Sequence, residues 1–194
     1  MISEAIRLIQ VNLQRYILEF EPELGPDQIV IVDNIALAEE LGGSNNISDH
    51  VVMSLVNVQE ESTLKNAPPY RVSDSRTIYR NPPVHINLFI LFSCLHQQYA
   101  TSLRLLSRVI EFFQWQKEFS FSLTPVTGNT SREIQEIVIR PDLYSLTFEQ
   151  LNHLWGALGG KQVPFVLYRM RVIALEAEKQ RAEGNVITEV YINE

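Results

Sequence analysis

The chain has a single cysteine, Cys94, in 194 residues. No internal disulfide can form, and this sparing use of thiols points to a reducing compartment. Basic residues are also in short supply: 16 Lys and Arg stand against 23 Asp and Glu, for a net charge of −7. Such a surface repels phosphate and argues against nucleic acid as a partner. Long apolar runs are missing, since a bilayer takes ~20 residues to cross. The strongest run, Val84 to Cys94, is interrupted by His85 and Asn87. No basic start leads into an apolar stretch as a secretory signal would. The chain therefore reads as soluble and made in the cytoplasm, without direct membrane insertion. Sequons at Asn46 and Asn129 carry no meaning without export.

Catalytic motifs are absent as well. Gly159-Gly160-Lys161 superficially suggests a phosphate loop, but Trp155 stands where the first glycine is needed and Gln162 where Ser or Thr is needed. The segment also joins a helix to a strand, the reverse of the order that aims amides at phosphate, so the glycines read as a helix C-cap. Among the four histidines, His50, His85, His96 and His153, no pair has the spacing of a zinc site. Cys94 ends the most hydrophobic segment and reads as a small buried side chain rather than a nucleophile. Asp33 and Asp49 follow strands, where turn geometry alone favours aspartate. No catalytic residue, cofactor site or metal site emerges, and the chain reads as a non-enzyme.

What the sequence does hold is a patterned core. Hydrophobic residues make up 45 % of it, enough for one domain, or one domain with an extension. Ser3 reads as the cap of a helix to about Phe20, with Ile6, Ile9, Leu13, Ile17 and Phe20 at helical spacing. Ile29 to Val32 and Val51 to Val58 read as strands, and Tyr70 to Tyr79 as an edge hairpin or long excursion. Val84 to Phe92 is nearly continuously apolar, as befits a central strand covered on both faces. A second helix spans Tyr99 to Gln116, with Leu103, Leu106, Ile110 and Phe113 as its buried stripe. Phe119 to Leu123 and Ile134 to Ile139 read as strands joined by a turn near Gly128 and Asn129.

Leu146 to Leu175 is the most distinctive unit. Thr147 caps a third helix, with Gln150 completing a capping box. Phe148, Leu151, Trp155 and Leu158 form its apolar stripe, and Gly159 and Gly160 end it. From Phe165 the period drops to two, placing Val166, Tyr168, Met170, Val172 and Ala174 on one strand face and Arg169 and Arg171 on the other. Residues 1–175 thus form a domain of α/β (α+β) type, a mixed sheet flanked by about three helices. Residues 176–194 follow as a charged spacer, Glu176 to Gly184, and a terminal strand, Asn185 to Asn193.

Several segments together match a known family: Val58-Gln59-Glu60-Glu61, Leu64-Lys65-Asn66, Pro82-Pro83-Val84-His85-Ile86-Asn87-Leu88 with its continuation to Phe92, the Tyr99 to Phe113 helix, and Leu146 to Leu151 with Leu154 to Gly159 and Pro164 to Val172. Over about Ser3 to Leu175 the chain resembles the N-terminal domain of the cap, or tail-terminator, proteins of extracellular contractile injection systems, the phage-tail-like particles that include the antifeeding prophage. The resemblance implies a structural cap: a ring of six copies, distal to the baseplate, that ends the inner tube and anchors the last layer of the contractile sheath. Its implied partners are itself, sheath subunits and inner-tube subunits. It also implies assembly in the cytoplasm into a particle that is released or anchored. The family has no catalytic set to carry over. Many members have a further C-terminal domain, in whose place this sequence has only the spacer and terminal strand.

An extended segment that adds a strand to a neighbour's sheet suits such a role. Val186, Ile187, Thr188, Val190, Tyr191 and Ile192 of the terminal strand are therefore the candidate partner interface, together with Arg169 and Arg171. Two alternatives are an adaptor that tethers the particle's distal end to a membrane or plug protein, and a small α/β enzyme.

Overall fold

The computed structural model describes residues 2–24, 28–37, 47–61, 70–73, 76–79, 84–123, 135–175 and 182–185. Helix α1 (Ile2–Phe20) is followed by strands β1 (Val30–Val32), β2 (Val51–Glu60), β3 (Tyr70–Ser73), β4 (Arg76–Tyr79) and β5 (Val84–Cys94). Helix α2 (Tyr99–Trp115), strands β6 (Phe119–Leu123) and β7 (Gln135–Leu143), helix α3 (Phe148–Ala157) and strands β8 (Phe165–Leu175) and β9 (Ala182–Asn185) complete the order. The main sheet runs β1-β2-β5-β8-β7-β6, and β3-β4-β9 form a small second sheet. β1 lies parallel to β2 and every other pairing is antiparallel, so the expected mixed sheet with three helices is what forms.

β5 is interior, between β2 and β8. Its unbroken apolar sequence follows from coverage on both faces. Ile90 and Phe92 join the core under α1 and α2, built from Ile9, Leu13, Ile17, Leu105, Val109 and Phe112. Phe89 and Leu91 face the other way, into a smaller core with Val52, Leu167, Ile35 and Trp155 of α3. The larger core is strongly aromatic: Phe113 lies 4.3 Å from Tyr168 and 5.2 Å from Phe92, ring centre to ring centre.

The third helix forms as its residues dictate. Thr147 Oγ1 accepts from the Gln150 N–H at 3.3 Å while Gln150 Oε1 accepts from the Thr147 N–H at 3.1 Å. Gly159 and Gly160 take φ of 100° and 82°, conformations that exclude most side chains, and the Gly160 N–H donates to the Trp155 carbonyl.

Four expectations are corrected. Ser3 lies inside α1 and is not its cap. Phe20, at the end of that helix, is partly exposed rather than on the buried stripe. α2 is rotated from the expected stripe: Leu105, Val109 and Phe112 are buried with Phe113, and Leu103 and Ile110 are exposed. Phe148 is 91 % exposed although Trp155, on the same apparent stripe, is 4 % exposed. Phe148 opens its helix just after the chain leaves the sheet, one turn before the helix reaches the core.

The spacer also needs adjusting. Ala182–Asn185 pair with β4, Asn185 opposite Arg76 and Ala182 opposite Tyr79, so the last residues assigned to a solvated spacer are strand. The turn near Gly128 and Asn129, the sequon at Asn46 and the terminal segment after Asn185 lie outside the described residues.

Candidate assembly surface

Arg169 and Arg171 follow the two-residue period of β8 and share a face with Leu167, on the α3 side of the sheet. Across the ladder Asp142 stands opposite Arg169, and Arg140 opposite Arg171. Asp142 bridges the pair: its Oδ2 contacts Arg171 Nε and lies 3.6 Å from Arg169 Nη2. Arg140 instead turns to Glu118, with 2.8 Å from Nη2 to Oε2. Like charges opposed across a ladder repel, and these two arginines resolve it by pairing with different carboxylates.

Three guanidinium groups thus meet two carboxylates in a chain of net charge −7. Arg169 Nε is buried and has no acceptor, while Arg171 remains about half exposed. The structure brings together Arg169 and Arg171, and gives both an acidic partner in their own chain. Val186, Ile187, Thr188, Val190, Tyr191 and Ile192 fall outside the described residues. Arg140 and Asp142 are not among the sequence candidates; their signal is the polar alternation Arg140-Pro141-Asp142 directly after the apolar run Ile137–Ile139.

β7 serves two neighbours in turn. Arg140 to Leu143 pair with β8, and Gln135 to Ile139 pair with β6. Pro141 lies at the junction, opposite Met170. Proline has no N–H, so within a strand paired to β8 its missing donor is tolerated only on the other side, where β6 would have to bond. The β6–β7 ladder accordingly stops at Ile139.

Cys94, Asp33 and Asp49 have structural duties in the fold. Cys94 is fully buried, and burial pushes its thiol up to about 12. The Asp33 carbonyl accepts from Ser54 Oγ at 2.6 Å while its carboxylate accepts from the Asn34 N–H, a turn function. Asp49 adopts φ 66°, and its Oδ1 accepts from the Gln97 N–H and lies 3.5 Å from His96 Nε2. His96 Nδ1 in turn accepts from the Gln98 N–H, so this pair fixes the chain just before α2. Among the described residues no His, Cys, Asp and Glu group could hold a metal ion, and no helix is long and apolar enough to cross a membrane.

The six-stranded mixed sheet, with two helices on one face and one on the other, makes this a two-sided α+β domain. Two solved structures share it: the sheath/tube terminator of PVC, an extracellular contractile injection system, in its extended state (TM-score 0.56, 13 % identity), and the tube-terminating cap of the anti-feeding prophage (TM-score 0.59, 10 % identity). The matches cover 94 % and 98 % of this chain, but 62 % and 60 % of those chains. The chain belongs to the Pvc16 N-terminal domain family, whose model matches residues 4–189. No curated protein matches it.

Proposed function

We propose that the chain is the cap of a phage-tail-like contractile injection system, ending the inner tube and anchoring the distal end of the sheath. The observation that carries this is the fold shared, over nearly the whole chain, with a sheath/tube terminator and a tube-terminating cap. Its neighbours in fold being structural components supports a non-enzymic role. In this reading six copies form a ring, residues 1–175 are its body, and the segment after Asn185 is an arm to a neighbouring cap or sheath subunit. Val186, Ile187, Thr188, Val190, Tyr191 and Ile192 supply the arm's contacts, with Arg169 and Arg171 on the body. Assembly takes place in the cytoplasm, and the finished particle is then released or anchored.

Deleting the coding sequence in a producing strain tests the reading. Particles should then have over-long or frayed ends, restored by re-expression, and cryo-electron microscopy of complemented particles should show the protein as a six-fold ring distal to the baseplate. Particles of normal length, or density at the baseplate, would refute it.

A further inference from the structure

Aromatic rings continue out of the larger core to the surface between α1 and α2. Phe113 and Phe112 are buried, with ring centres 4.9 Å apart, and Phe112 meets Tyr16 of α1 at 5.4 Å. Tyr16 in turn meets Phe20 at 4.8 Å and stacks on Trp115 at 5.9 Å. Phe20 is 47 % exposed and Trp115 69 % exposed. Both rest on a ring that is itself fixed by the core, so the surface is formed before anything binds. Tyr, Trp and Arg dominate protein–protein contacts, and rings with two torsions lose little freedom on docking.

The charges around these rings decide what fits. Arg108 lies 5.3 Å from the Phe20 ring centre, but its guanidinium is held by Glu21 and Glu111. Arg104 is held by Glu21 and Glu23. Lys117, just beyond Trp115, donates to Gln114. Arg15 is turned one helical step, about 100°, away from Tyr16. Glu19, exposed in the last turn of α1, has no ion-pair partner among the described residues. Burial and the carboxylates of Glu111 and Glu19 push the Tyr16 hydroxyl above the ordinary tyrosine range, with Arg108 opposing them. That turn of α1 has no basic residue of its own, so the negative end of the helix dipole adds to the Glu19 charge.

We propose that Tyr16, Phe20 and Trp115 form a docking surface for a segment of another protein that carries Lys or Arg beside an apolar side chain. The apolar side chain packs on Phe20 and the open face of Trp115. The cation sits between the Glu19 carboxylate and the ring faces, where charge and π attraction act together. A second copy of the chain is a poorer occupant, since each copy carries −7 and like charges repel. This contact is separate from the arm and from the arginines of β8.

Photocrosslinking tests this. The full chain carrying Trp115→p-benzoylphenylalanine, which keeps an aromatic side chain there, is expressed in a producing strain, and the captured peptide is sequenced by mass spectrometry. The expected capture is a peptide of a different protein with Lys or Arg next to the crosslinked residue. Adding Glu19→Lys should lower the yield about five-fold or more. Changing the captured Lys or Arg to Glu should then restore it, an outcome that a misfolded chain cannot produce. Glu19→Lys also puts a cation at the carbonyl end of α1, so the urea midpoint should hold or rise while capture falls. Capture of a second copy, of lipid or of nucleic acid overturns the proposal, as does no capture at all. So does a yield that Glu19→Lys leaves unchanged, or a loss that the reversed partner does not restore. The cap reading stands or falls separately, on particle ends.

Discussion

The Val30 N–H donates to Gln14 Oε1 at 2.7 Å, so a helix side chain does for the edge strand what a neighbouring strand would otherwise do. Gln10, one turn earlier, takes the carbonyl of the same residue. Spacing of i and i+4 places both glutamines on one helix face. An exposed edge is an aggregation hazard, and at Val30 this one is closed within the chain. The double variant Gln10→Ala, Gln14→Ala removes both helix partners and leaves the Val30 carbonyl only the longer contact from Gln28 Nε2 at 3.4 Å. It should cost about 1–3 kcal/mol in urea unfolding, and increase association at high concentration by light scattering.

Trp155 and Phe148 separate a buried from an exposed aromatic on one helix. Trp155 packs edge-on against Phe165 at 5.3 Å, and its truncation to alanine should cost ~3–5 kcal/mol with largely insoluble protein. Phe148→Ser should stay within about 0.5 kcal/mol of wild type by chemical denaturation. A Trp155→Ala variant that melts like wild type would place that side chain against a partner or solvent.

Glu21 is buried just beyond α1, where its two oxygens meet Arg104 Nε at 3.0 Å and Arg108 Nε at 2.7 Å of α2. Both arginines keep access to water, which softens the loss when their partner goes. Glu21→Ala should therefore destabilise by about 1.5–3 kcal/mol, whereas Glu23→Ala, exposed on the rim of the same cluster, should have a much smaller effect. Denaturant midpoints of the two variants measure the contrast.

Cys94 should resist thiol reagents in the folded chain and react on unfolding. Its pKa is raised by burial from an ordinary value of 9.0 to about 12. The folded state therefore holds the proton more tightly than the unfolded state. This contribution to stability is whole below about pH 9 and is lost as pH rises towards 12. Native-state labelling at neutral pH and unfolding curves between those two values check it; rapid labelling of native protein at pH 7 would contradict the burial.

Removing the residues after Asn185 should leave a folded domain whose melting temperature moves by less than about 2 °C, with weakened sheath attachment in particles. Cutting after Arg181 instead also removes β9 and strips β4 of one neighbour, so it should loosen the β3–β4 hairpin in hydrogen exchange. Unfolding of the shorter truncation alone is compatible with the arm; unfolding of the longer chain ending at Asn185 is not.

Local signals were legible where one residue type has one use. The Thr147–Gln150 box, the Gly159–Gly160 stop, the alternation of β8 from Val166 to Met170 and the two-sided burial of β5 could all be read from the chain. The α2 stripe could not, because Leu103-Leu106-Ile110 and Leu105-Val109-Phe112 are equally apolar. Phe119 from the next strand, with Tyr168 and Phe92 from distant ones, decides between them by packing on Phe112 and Phe113. The arginine face was half visible: Arg169 and Arg171 follow from period two, but their meeting with Asp142 depends on register between strands. Gln10 and Gln14 look like ordinary polar helix residues until Val30 is placed beside them.

Pro141 has a consequence of another kind. Ion pairs such as Arg171–Asp142 weaken as carboxylates protonate or as salt rises, but a missing N–H is a matter of covalent bonds. The missing donor at Pro141 is therefore the same in acid, in brine and under oxidation. The medium can change the charges beside this proline, but it cannot supply the N–H that β6 would need.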